Sequence, residues 1–137
     1  MRRALGYPTS GLLAAIAGLH IAWGLGSAFP FRTRANLADA VIGSVDVPPP
    51  VACYAVAAAL TTASLLVADV GILPPRVRRL GRIVIAGVLT IRGVAGIAGR
   101  TDALSPGSTS PRFHRLDRRV YSPLCLALGA AITTSAR

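Results

Sequence analysis

The chain has 137 residues, of which 53% are hydrophobic and only 15% charged, yet its formal net charge is +10. The apolar content excludes a disordered chain, and a cysteine count of 2 excludes a disulfide scaffold. A charged share well below the roughly one quarter usual in soluble domains points to a multi-pass membrane protein.

All the basic residues are arginine, and Lys, Glu and Gln, which dress solvated helices, do not occur. The arginines sit in short clusters between apolar runs. A nucleic-acid surface would gather them on one face among stacking rings, so no nucleic-acid partner is expected. The membrane interface selects the observed pattern.

Four apolar stretches follow in chain order. The first spans 11–29 and is interrupted by His20. Arg2, Arg3 and the small residues Gly26-Ser27-Ala28 resemble a cleavable secretory signal, but the run is too long for one and contains His20 and Trp23, so an uncleaved span is expected. The second spans 51–73, with Asp69 near its end, and the third spans 83–99, with Arg92 inside. The fourth spans 111–136. Ser110 reads as its N-cap and Pro111 as its first helical residue, with a basic first half and a membrane part from Tyr121. Each of the first three is long enough to cross a bilayer core of about 30 Å, the third only just. Pro123 removes a backbone donor and predicts a kink in the last helix. Between the spans, 30–50 reads as a loop, 73–82 as a tight basic turn, and 101–111 as a Gly/Ser/Pro loop without regular structure. The fold expected is therefore all-α: one domain over 1–137, a four-transmembrane-helix bundle whose fourth helix is kinked at Pro123.

Orientation rests on the arginines. They divide evenly between the two sides, and the first helix together with the compact Arg76–Arg82 cluster breaks the tie. The expectation is a multi-pass protein of the cell membrane with both termini cytoplasmic.

Ionisable groups inside a span are costly, and they face protein or a water-filled cavity. Asp69 is expected to pair at the interface with Arg78, Arg79 or Arg82. Arg92 costs about 2.5–3.5 kcal/mol at a helix centre. It shares a helix face with Gly96 and Gly99, and small residues mark helix contacts in membranes. Its guanidinium therefore points inward and needs an acceptor: Asp117, a carbonyl freed by Pro123, the Tyr121 hydroxyl or a neutral His20. On the first span, His20, Trp23 and Gly24 share one face. On the fourth, Asp117, Tyr121 and Cys125 do the same. Alternating helices bring His20, Trp23, Arg92, Asp117, Tyr121, Ser122 and Cys125 toward one bilayer face. Cys53 lies near that face too. The two cysteines read as independent thiols, and they would form a disulfide only if the face is extracytoplasmic. No metal-ligand spacing, nucleotide loop or serine-hydrolase elbow occurs, and no cofactor is expected.

HIAWGLG (His20 to Gly26), the Arg92-Gly93 pair within TIRGVAG and FHRLDRRVYSPLCLALG (Phe113 to Gly129) resemble a bacterial domain-of-unknown-function family, number 3995. The resemblance spans most of the chain and implies a membrane location and four helices. It implies no established activity, and Cys53 lies outside its pattern.

Two functions compete. The first is a non-catalytic binding protein or accessory subunit, with Trp23, Gly24, Ser122 and Cys125 facing a lipophilic ligand. Its partners would be the bilayer and either a lipophilic small molecule, a membrane protein or a second copy of the chain. The second is a membrane-embedded acid–base enzyme, of cyclase or isomerase type, acting on an isoprenoid or lipid-like substrate. Asp117, His20, Arg92 and Tyr121 would be its catalytic groups. Arg115, Arg118 and Arg119 should keep Asp117 ionised, which favours a base or a structural pair over an acid. A proton relay through Asp69, His20 and Arg92 is a third reading, weakened by the absence of an inverted repeat.

Overall fold

In the computed structural model, which describes residues 2–135, the protein is all-α, with no strand among the described residues. Helix α1 (Arg2–Gly24) ends earlier than the apolar run suggests. Gly26 adopts φ +102 and the Ser27 amide donates to the Ala22 carbonyl at 2.9 Å, a glycine-closed helix end that turns the chain before Phe29. The segment expected to be loop contains a short helix, α2 (Arg34–Val41), started by Thr33, whose side chain accepts from the Asn36 amide.

Helix α3 (Pro50–Val67) begins with proline at its first position, where the missing N–H costs nothing. It stops before Asp69, which takes φ 61, a left-handed conformation that Asp tolerates better than most residues. Helix α4 (Pro75–Ile97) likewise opens on proline. The arginines expected in a tight turn therefore lie on its first two turns. Oδ1 of Asp69 receives Arg78 at 2.7 Å and Arg82 at 2.8 Å, so the two arginines lie on the same helical face and reach back to the end of α3.

After α4 the chain makes one helical turn, α5 (Thr101–Leu104), where no regular structure was expected. Helix α6 (Pro111–Leu116) starts as the sequence predicts, with the Ser110 side chain accepting from the Phe113 amide and Pro111 leading. A π turn (Asp117–Tyr121) then runs directly into α7 (Ser122–Ser135). The irregularity thus falls in the turn before Pro123. Within it the Ser122 amide donates to the Asp117 carbonyl, five residues back. A wider turn ahead of a proline relieves the ladder that the proline would otherwise break.

Helix α1 packs mainly on α3, and α4 mainly on α7, with α1 against α7 and α3 against α4 joining the two pairs. Small residues set the closeness. Ser10 and Ser64 each donate to the other's backbone carbonyl at 2.9 Å. A Cβ on Gly24 would stand 2.6 Å from the Tyr54 ring, and one on Gly93 would stand 2.6 Å from Leu126. Leu13, Ala63, Val67, Ala86, Leu128 and Ile132 form the core, drawn from α1, α3, α4 and α7. Two helices, α3 and α4, are long and apolar enough to cross a membrane. Helix α4 turns Leu80, Val84, Val88 and Ile91 outward, each more than half exposed.

Candidate functional site

The sequence places its polar groups at one end of the helices, and the folded chain sorts them into two sites. The first is built on Asp117, the opening residue of the π turn, which is completely buried. Its Oδ1 accepts from Arg92 Nη2 at 2.7 Å and from Ser122 Oγ at 3.0 Å, while Oδ2 accepts a short hydrogen bond from Thr101 Oγ1. Gly96, one turn beyond Arg92, leaves room for this assembly. A Cβ there would collide with Ser122 Oγ and approach both Arg92 and Asp117. Arg92 Nη1 is buried beside them without a partner.

Of the acceptors considered for Arg92, the structure selects Asp117. Burial by itself would raise the Asp117 carboxyl. The hydrogen bonds from Arg92, Thr101 and Ser122, with the Arg92 charge, outweigh it and hold the group below its ordinary value. The depression therefore comes from Arg92 and two hydroxyls rather than from Arg115, Arg118 and Arg119. Such a carboxylate stays ionised, and both of its oxygens are already engaged within the fold.

Tyr121, at the end of the same turn, is directed elsewhere: its hydroxyl donates to the Ala40 carbonyl of α2 at 2.9 Å. Phe113 lies between this tyrosine and Gly43, buried against a backbone position where a Cβ would come within 2.8 Å of its ring. Ser108 Oγ donates to the Ile42 carbonyl, and the Thr109 and Ser110 amides both donate to the Gly43 carbonyl. These bonds fasten α2 and the chain before α6 together across one end of the molecule.

The second site surrounds His20 and Trp23. Their rings are 4.7 Å apart, and Nδ1 of His20 donates to the Ile16 carbonyl of its own helix at 2.9 Å. A carbonyl can only accept, so the proton is on Nδ1. Trp23 Nε1 donates to the Phe29 carbonyl at 2.6 Å, and Arg34 Nη1 to the Trp23 carbonyl at 3.0 Å. Between α1, α2 and α3 these residues border a cavity of about 220 Å³, whose other walls include Leu37, Cys53 and Val56. It is part open and mostly apolar.

No hydrogen bond or ion pair joins His20 or Trp23 to Arg92 or Asp117 among the described residues. Gly24 carries no polar function and admits the Tyr54 ring. Cys125, on α7 one turn beyond Ser122, is half-buried, Cys53 is buried, and both thiols are free. Among the described residues no cluster of His, Cys and Asp is arranged to hold a metal ion.

Sequence reasoning missed Thr101, Arg34 and the Ala40 carbonyl. All three lie in or beside segments read as loop, and no periodicity marks them. Gly96 was legible, because it lies four residues from Arg92 on the same face.

A family model described as "Protein of unknown function (DUF3995)" matches residues 13–132, most of the chain. Neither the curated proteins nor the solved structures contain a match.

Proposed function

The chain belongs to the DUF3995 family, and on that premise we propose that it is a four-span membrane protein that holds a lipophilic ligand, or a partner's apolar segment, without transforming it. Helices α3 and α4 supply two of the spans. Helix α1 and the last helix from Tyr121 onward supply the others, with both termini on the cytoplasmic side. The outward apolar face of α4 supports this arrangement, because a soluble domain of this size rarely exposes so continuous an apolar surface.

The observation that carries the binding role is the cavity between α1, α2 and α3. It is smaller than the roughly 300–1,000 Å³ of pockets that engulf whole small molecules. It suits the end of a chain or a compact ring, packed on Trp23, with Arg34 and His20 at its polar side. The acid–base alternative is disfavoured by Asp117, whose two oxygens are already engaged by Arg92, Thr101 and Ser122. It would have to release these partners before exchanging a proton with a substrate.

Trp23 is the single tryptophan of the chain, so its fluorescence reports this cavity alone. Titrating the detergent-solubilised full chain with medium-chain alcohols and prenols should shift and saturate the emission. Cys53→Trp is unsuitable because it adds a second fluorophore, so Ala52→Leu or Val56→Phe, which fill the cavity, should abolish the shift with helicity unchanged. Emission that stays constant or drifts linearly with every lipophile would overturn the binding role.

A further inference from the structure

A third place in the fold, outside both sites, is a concave basic surface beside the start of the last helix. We propose that it receives the phosphate group of an anionic phospholipid. The surface is a pocket of about 580 Å³ lined by Gly99, Pro111, His114, Arg115, Arg118 and Arg119. Positions 111, 114, 115, 118 and 119 fall on a single face of α6 and the π turn, so helical periodicity concentrates the cations.

No carboxylate lines it, and Asp117 and Asp39 are engaged elsewhere. Asp117 is buried on Arg92, and Asp39 lies 3.7 Å from Arg112. Among the described residues, Arg115, Arg118 and Arg119 make no ion pair. With Asp117 buried on Arg92, the three guanidinium groups of Arg115, Arg118 and Arg119 are left exposed.

Gly99 shapes the floor of the pocket. It has φ +69, and a Cβ there would collide with the Arg118 guanidinium. Arg118 is therefore seated against the carbonyl end of α4, where the helix dipole favours a cation. Guanidinium groups bind phosphate oxygens through paired hydrogen bonds. Tyr121, where the membrane part of the last helix is taken to begin, follows directly, which puts the pocket at headgroup depth. This depth rests on the four-span reading; the oxyanion chemistry does not.

The test uses the full chain in neutral detergent micelles containing equal amounts of phosphatidylglycerol and phosphatidylcholine, with retained lipid counted by native mass spectrometry. The wild-type chain should retain phosphatidylglycerol preferentially. Arg118→Gln should weaken that retention about fivefold, and the triple change of Arg115, Arg118 and Arg119 to Gln about a hundredfold. Arg76→Gln with Arg79→Gln, at the other end of α4, should leave it intact. If the triple variant does not fold, the single variant decides. Equal retention of the two lipids, or equal loss in the Arg76/Arg79 control, would overturn the site. Displacement of the lipid by inorganic phosphate at equal concentration would overturn the lipid as source and leave a free oxyanion as the ligand. Trp23 emission reads the other cavity, so failure here is distinguishable from failure of the ligand-binding role.

Discussion

A buried carboxylate is stable only while its oxygens are hydrogen-bonded, and both oxygens of Asp117 are engaged by one guanidinium and two hydroxyls. Removing the acid strands Arg92, and removing Arg92 strands the acid. Breaking one side of such a pair costs about 3–5 kcal/mol, so Asp117→Leu should lower the thermal midpoint in detergent sharply. The double change Arg92→Leu with Asp117→Leu should recover much of the loss, since it leaves no orphaned charge. Because the folded state holds the carboxyl below its usual value, the pair's contribution is complete above about pH 3.9, the ordinary carboxylate value, and fades as the pH falls below it. Thermal unfolding measured from pH 7 down to pH 3 should show this acid loss in the wild-type chain, and Asp117→Asn should flatten that part of the profile.

Among the elements, α4 and α7 are held together by absent side chains. Gly93 and Gly96 face Leu126 and Ser122 at distances that leave no space for a methyl group, whereas Gly87, on the same helix, has nothing within 4 Å. Gly96→Ala should therefore displace Ser122 and the Asp117 cluster and destabilise the fold by more than 1 kcal/mol, roughly the lower end of an overpacking penalty. Gly87→Ala should be neutral or stabilise by up to about 1 kcal/mol, through helix propensity alone. Paired thermal melts of the two variants distinguish packing from propensity. The π turn belongs to the same scale. Pro123 announces a disturbed helix in the sequence, but whether the backbone bends at the proline or widens ahead of it depends on packing. Here the widened turn is where Asp117 is set facing Arg92 and Tyr121 facing α2.

At the scale of the whole molecule, apolar side chains cover the outside as well as the inside. Val88 and Ile91 are 62% and 63% exposed while Leu13 and Ile132 are fully buried, so burial alone does not separate core from surface. Apolarity on both sides is what a lipid environment permits. Alkaline carbonate washing of membranes that contain the chain should leave it in the pellet, and detergent should release it. Release by carbonate alone would remove the four-span reading. Oxidation of the folded protein should leave Cys53 and Cys125 unlinked, measured as an unchanged intact mass, because each is packed separately as a free thiol.

Composition and periodicity by themselves determined that the chain is helical and apolar, where α6 begins, that Asp69 answers the arginines of α4, and that Arg92 needs an inward acceptor. Each of these follows from local chemistry: proline and serine at a helix start, like depth for opposite charges, the expense of a lone guanidinium among apolar groups. Tertiary structure alone decided that Asp117 is that acceptor, that Thr101 and Ser122 also bond to it, and that His20 and Trp23 belong to a different cavity walled by α2. Those outcomes depend on rotation of one helix about its axis relative to another and on the docking of short segments. Depth along a span is written into residue number at 1.5 Å per position, whereas azimuth is set only when neighbouring surfaces interlock.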